Sequence, residues 1–317
     1  MYLSSFSLVE PEGEFYFYQP SWLNVWEAHL YDKALKSTQA NGWGFKRFGT
    51  EPDIYAGEMV RNPQYQKYLD AMEQAADATL HGLSTKARMK LLKSRTALIY
   101  ADSWGESGLF ENISSILHIS MIDTLPKTLV KKFAVKELTC KVRGEKYAFI
   151  QAMRIAQDYL CWNVFDNVVI CAAYRAIPVL TFSAEETLLK RGGRKMHRAD
   201  DVNLTVERVG CFIFSQQKSS IRISDSQYMK VDTPADTIGI DQVVYAGLNK
   251  QWLQAHHSLQ LVDLYGSSGC LTPALSFVYL QKYAERVGKL RTIIPDHLGG
   301  ACYFDIEYCN ECLQSDE

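Results

Sequence analysis

Between residues 144 and 174 an apolar helix pattern runs straight into an apolar strand pattern. That pair restricts the fold more than any other feature of the chain. From about residue 144 to 160, Tyr147, Ala148, Ile150, Ala152, Ile155, Ala156, Tyr159 and Leu160 cover most sides of the predicted helix. A helix that is apolar nearly all round belongs in a core, not on a surface. The run NVVICAAY at 167–174 then reads as a continuous buried strand. Upstream, a short apolar run at 97–101 bounded by polar residues reads the same way. Strand, buried helix and strand imply a βαβ unit in a parallel or mixed sheet covered on both faces.

The remaining elements repeat this theme. Tyr65, Leu69, Met72, Ala76 and Leu80 recur at helical spacing and predict a one-faced helix over 65–80. Residues 1–60 are aromatic-rich, with Trp22, Trp26 and Trp43, and read as strands and loops. The polar stretch KRGGRKMHRADD at 190–201 is the most loop-like part of the chain. After it come VGCFIFS, SIRISDS and DQVVYAG as strands, a helix at about 249–256, and a third buried helix near 272–287. RTIIPDHLGGACYFDIEY reads as strand, glycine turn, strand. Strands with buried helices between them, twice over, give an α/β chain of two pseudo-repeated halves, 1–180 and 181–317.

Charge excludes some functions. Lys+Arg number 34 and Asp+Glu 36, a net charge of −2, so no basic footprint invites nucleic acid. No apolar run is long enough to span a membrane. The acidic start MYLSSFSLVEPEGEFYFYQ lacks the pattern of a secretory signal. Several of the eight cysteines lie inside apolar runs, which fits reduced thiols and a cytoplasmic location. Cys309 and Cys312 have knuckle spacing but no second pair, and a closed zinc site needs four ligands, so no metal is expected.

Four segments resemble the thiolase superfamily and, within it, the ketoacyl synthase III branch. In LTCKVRGEKYAFIQAMRIAQDYLCWNVFDNVVICAAY, Gly144 matches the turn glycine of an A-C-S-G-F motif, and 166–172 match the following strand. The nucleophile position, two residues before that glycine, is Val142; the nearest thiol is Cys140. VERVGCFIFS is similar to the family's D-G-A-G-A-V-V-L strand, with Glu207 for the aspartate and Gly210 for the second glycine. IDQVVYAGLNKQWL is similar to the H-Q-A-N segment, with Ala246 at the histidine and Asn249 retained. LYGSSGCLTPALSFVYL resembles the Y-G-N-T-S-A-A-S-I-P turn, with Gly266 kept and Ser267 at the catalytic asparagine. DHLGGACYF stands at the glycine-rich loop behind the active site. Together the matches run from residue 102 to the C-terminus. They imply a five-layered α/β/α/β/α fold.

A condensing enzyme of that family acylates a cysteine and then decarboxylates a malonyl unit. The thiolate belongs at a helix N-terminus, where the dipole lowers its pKa and N–H groups hold the oxyanion. Histidine and asparagine stabilise the developing enolate, and losing one such donor costs about 10²–10³ in rate. The resemblance places Val142, Ala246 and Ser267 at all three positions, so the sites read as vestigial. Cys140 is a candidate displaced nucleophile, weighed against a strand cysteine filling a small apolar site. His297 beside Gly299 and Gly300 is a second candidate. Gly144, Asn249, Gly299 and Gly300 are the expected substrate-binding positions. Ser267 and Ser268 read better as a turn before a helix, and His256 and His257 as a solvated helix end.

The resemblance therefore implies a catalytically silent, chain-length-factor-like subunit. It would pair as a heterodimer with an active ketosynthase homologue in a fatty-acid-like or polyketide-like pathway and shape its acyl pocket. An acyl-carrier protein is a further expected partner, and the basic run at 127–133 could meet it. No cofactor is implied; the acyl thioester of a carrier protein or coenzyme A is the possible ligand. The alternatives are an acyltransferase or condensing enzyme using Cys140, and an acyl-chain-binding module.

Overall fold

The computed structural model describes all residues except 22, 39, 49–62, 103–126, 137–138, 145, 190–201, 225, 231–238, 248–257, 297–299 and 310–317. In chain order the first elements are β1 (Tyr2–Val9), β2 (Tyr16–Phe17), α1 (Val25–Thr38), β3 (Gly42–Lys46), α2 (Pro63–His81), α3 (Thr85–Lys93), β4 (Thr96–Asp102) and α4 (Lys127–Lys132). Then come β5 (Thr139–Arg143), α5 (Ala148–Cys161), β6 (Asn167–Tyr174), α6 (Pro178–Leu189), β7 (Val202–Val206) and β8 (Arg208–Ser215). The chain continues with β9 (Ile221–Ile223), β10 (Gln227–Met229), β11 (Gln242–Tyr245), β12 (Ser258–Gln260) and α7 (Leu261–Tyr265). A 3-10 helix (Gly269–Ala274), α8 (Leu275–Lys282), β13 (Lys289–Pro295) and β14 (Ala301–Tyr308) complete it.

The strand order of the main sheet is a duplication. One run is β5-β4-β6-β8-β1, in which β4 is parallel to β5 and β6, and β8 is antiparallel to both β6 and β1. The other is β12-β11-β13-β14-β9, with the same chain order and the same directions. The runs join where Tyr2 and Leu3 pair with Arg222 and Ile221, and β10 adds to β14. The repeat divides between β8 and β9, not at residue 180. β8 pairs along its whole length with β6 and is flanked by β1, so it completes the first half.

Period-two alternation sorts the side chains into layers. Ala97, Ile99, Val168, Ile170, Phe212 and Phe214 face inward onto Phe149, Met153 and Ala156 of α5. The inward residues of the second half, including Val244, Leu290, Phe304 and Ile306, join the same core with Phe277 of α8. On the other face of the first half, Leu98, Tyr100, Val169, Cys171 and Ile213 pack under Met72, Ala75, Ala76 and Leu80 of α2. A small third cluster of Met229, Val243, Tyr245, Ile293 and Ala301 lies on the outer face of the second half. Among the described residues no helix contributes to it. α5 buries seven residues but leaves Gln151 and Arg154 exposed, so it is less enclosed than its sequence implies.

Two expected helices change their bounds. α5 starts at Ala148, not near 144. The helix expected over 272–287 divides at Pro273, which lacks the N–H needed to continue a ladder, and ends at Lys282. In the aromatic N-terminal region, read as strands and loops, α1 forms a regular helix of 14 residues. Asn24 Oδ1 accepts from Glu27 N at 3.1 Å and Asn24 Nδ2 donates to Glu27 Oε2 at 2.8 Å, a variant of the capping box. α1 packs on α6, and Tyr18, Tyr31, Trp43, Phe45 and Phe182 fill the space under a second sheet, β2-β3-β7. The helix expected at 249–256 and the loop at 190–201 lie outside the described residues. Among the described residues no helix is long and apolar enough to cross a membrane.

Candidate functional site

Three turns meet at one end of the sheets. They follow β5, β11 and β13, at the C-terminal ends of strands where α/β proteins bind ligands. Tyr147, the last residue before α5, donates its hydroxyl to Pro295 O at 3.1 Å and so ties the first half to the end of β13. Ala246 N donates to Ile293 O at 2.8 Å. A Cβ on the following Gly247 would lie 3.7 Å from Pro295 Cδ. Beyond Pro295, Asp296 Oδ1 accepts from Gly300 N at 2.6 Å and Oδ2 accepts from the Tyr228 hydroxyl at 2.5 Å. That bond to Asp296 pushes the Tyr228 phenol up. A side chain at Gly300 would run into the Tyr228 oxygen and push that ring aside.

The turn between β5 and α5 settles where a nucleophile could stand. Val142 lies inside β5, opposite Ala101, and is buried. It is not at a helix tip. The residues just before α5 are Lys146 and Tyr147. No cysteine occurs between positions 141 and 160. Cys140 is also in β5, opposite Ile99. Burial pushes its thiol up, away from the thiolate that acyl transfer needs. Gly144 is buried and its carbonyl accepts from Ala148 N at 3.3 Å.

The turn at Gly266–Gly269 is built into the scaffold. Ser267 N donates to Leu204 O and Ser267 O accepts from Val206 N, both at 2.8 Å. This extends the small sheet as a parallel bridge to Thr205. Ser268 is fully buried, accepts from Arg208 Nη1, and donates to Val206 O at 2.7 Å. Its hydroxyl is engaged on both sides and cannot serve as a nucleophile. Gly269 has φ +50°, and a Cβ there would lie 2.4 Å from the Tyr174 ring. Thr272 Oγ1 accepts from Ser268 N at 2.9 Å.

Glu207 and Arg208 frame this turn from behind. Glu207 is 1% exposed; its carboxylate accepts from Arg47 Nε at 3.2 Å, Phe48 N at 2.8 Å and Ala176 N at 3.0 Å. It is a structural tie between β3 and the segment after β6. Arg208 stands at the glycine after the aspartate in the matched motif. It reaches Tyr265 O at 2.6 Å and Glu10 Oε2 at 2.9 Å. Burial lowers its pKa, opposed by Glu10. Sequence reasoning missed this residue, although an arginine in an otherwise apolar strand was visible.

The candidates His297, Gly299 and Asn249, the helix-end His256 and His257, and Cys312 lie outside the described residues. Ala246, Gly144 and Gly300 are described and sit on the converging turns, whereas Ser267 sits on the turn bridged to the small sheet. Cys302, not singled out in the sequence, is half-buried on β14, and burial pushes its thiol up against the opposing effect of Arg154. Among the described residues no group of His, Cys, Asp and Glu is placed to hold a metal ion.

No protein-family model matches the sequence, and no curated protein matches it. Solved structures do match. OleA of Xanthomonas campestris with cerulenin superposes with a TM-score of 0.57 at 11% identity, over 97% of this chain and 96% of that one. AntDE:AntF, a type II polyketide ketosynthase with its acyl-carrier protein, gives 0.57 at 10% identity, over 97% and 99%. The 3-oxoacyl-[acyl-carrier-protein] synthase III of Aquifex aeolicus gives 0.52 at 10% identity, over 97% and 99%. Nearly the whole chain thus shares the fold of OleA, the type II polyketide ketosynthase and 3-oxoacyl-[acyl-carrier-protein] synthase III.

Proposed function

We propose that this chain is a catalytically silent ketosynthase-like subunit that pairs with an active condensing enzyme and shapes its acyl pocket. The observation that carries the reading is the β5–α5 turn. The helix tip that would polarise a thiolate carries Lys146 and Tyr147, and the nearest upstream thiol sits on a strand with its pKa raised. Ala246 and Ser267 offer no imidazole or carboxamide to a developing enolate, and the Ser267 backbone is committed to the small sheet.

Pairing finds support in β5. Among the described residues it ends the main sheet, and Thr139 and Arg143 are exposed. An edge strand presents unpaired backbone to another chain, and burying that edge against a partner would stabilise both subunits by mass action. An acidic carrier protein would find Lys131 and Lys136 exposed near the end of α4, whose Leu129 and whose neighbour Phe133 are buried. The pathway is fatty-acid-like or polyketide-like, with an acyl thioester as the ligand and the cytoplasm as the location.

Co-expression with ketosynthases encoded beside this chain tests the reading. The expected result is a stable heterodimer whose acyl products change in length when this chain is omitted. A folded homodimer that ignores every such ketosynthase would end it.

A further inference from the structure

The N-terminal segment carries an unusual corner. The first 32 residues contain five carboxylates and neither Lys nor Arg. The segment FYFY at 15–18 alternates strictly. Tyr16 and Tyr18 turn inward onto Phe45. Phe15 and Phe17 turn outward and touch edge to face at 5.3 Å. They lie over Gly44 and Gly42 of β3, where no side chain intervenes: a Cβ at Gly44 would collide with Phe15. The Tyr18 hydroxyl donates to Glu27, which ties the end of β2 to the first turn of α1. Leu23 is 74% exposed, Val25 76% and Phe17 59%. Large apolar side chains this open within one short segment mark interaction surfaces.

Two further features narrow the occupant. Among the described residues β2 ends the small sheet, with its outer edge facing away from β3. Glu12 and Glu14 are exposed beside the rings. A second copy of this chain docked by a two-fold axis would bring like carboxylates together, and an acidic carrier protein would be repelled likewise. We infer that this corner binds an extended, basic and apolar polypeptide segment of a partner protein, added as a strand to β2. Its apolar residues lie on Phe15 and Phe17, and its lysines or arginines meet Glu12 and Glu14. This is strand addition, in which main-chain bonds give affinity and alternate side chains give specificity. The inference does not depend on the proposed function.

The test uses the full chain and a fluorescein-labelled peptide of alternating valine and lysine, read by fluorescence polarisation. Saturable binding is expected, weakened by added salt. Phe17→Asp should weaken it about tenfold or more, as for an interface anchor. The pair Glu12→Lys and Glu14→Lys should weaken it and flatten its salt dependence. Both sets alter exposed side chains, and unchanged circular dichroism and melting confirm folding. The same peptide N-methylated at alternate residues keeps its charge but cannot pair as a strand, and it should not bind. Equal binding of the methylated peptide, or no effect of Phe17→Asp, overturns the inference. Tighter binding after Lys190, Arg191, Arg194 and Lys195 are changed to glutamate also overturns it, because the chain's own basic stretch would then be the occupant.

Discussion

The two turns that lead into buried helices, before α5 in the first half and at Gly266–Gly269 before the 3-10 helix and α8 in the second, are held very differently. The one in the second half, Gly266–Gly269, is locked by main-chain pairing to Leu204 and Val206, by the Ser268–Arg208 bond and by the Tyr174 ring over Gly269. The one in the first half, before α5, is held to the second half by the Tyr147 bond to Pro295 O. One turn is part of the framework; the other places Lys146 and Tyr147 just before a buried helix. Substituting the two turns and their frames should therefore affect stability very unequally.

The largest effect is expected behind the second turn. Glu207→Ala strips three bonds and leaves Arg47 buried without its carboxylate, which should cost about 3–5 kcal/mol in urea unfolding. A loss below about 1 kcal/mol would mean that the second turn is not framed as described. Next comes Gly269→Ala, which combines a left-handed backbone with a clash against Tyr174 and should cost about 1–3 kcal/mol. Tyr147→Phe removes the hydroxyl's bond to Pro295 O at the first turn and should cost only about 0.5–1.5 kcal/mol. If it matched Glu207→Ala, the contrast between the turns would be gone.

The smallest effect is a pH dependence. Burial opposes ionisation of Glu10, but Lys46 and Arg208 outweigh it and hold its carboxyl below the ordinary 4.5. A carboxyl lowered in the folded state contributes stability above its unfolded pKa and loses it as pH falls through the folded one. Urea midpoints should therefore drop below about pH 4.5, and Glu10→Gln should make that drop shallower. Glu27 is shifted the other way, raised by burial, so the stability it confers is present below 4.5 and is lost as pH rises through its folded value. A Glu10→Gln variant with an unchanged acid limb would show that the Arg208 side of the frame is weaker than drawn.

Much of the fold was legible because its strongest signals are periodic. The β6 strand falls on 167–174 as read, and α2 contains the whole 65–80 pattern. The strand–turn–strand at the C-terminus is the β13–β14 pair. α1 was missed because its buried face includes Ser37 and Thr38, which blur the apolar period; the Asn24–Glu27 cap was the available signal. The start of α5 was less legible for a related reason. The residue before α5 is Tyr147, whose side chain makes no capping bond, so no Ser, Thr, Asp or Asn marks where the helix begins. Without that mark, the helix was read from about Gly144 rather than Ala148. The division between the halves was misplaced because a long polar loop at 190–201 is more conspicuous in sequence than the strand order that places β8 with β1.

The central claim is that no sulfur on this chain can accept an acyl group at the tip of α5. Intact-mass spectrometry after incubation with medium- and long-chain acyl thioesters, each loaded on coenzyme A and on a carrier protein, tests it most directly. The account expects an unchanged mass. An acyl adduct that maps to Cys140 and disappears in Cys140→Ala would contradict it and make the chain an acyltransferase.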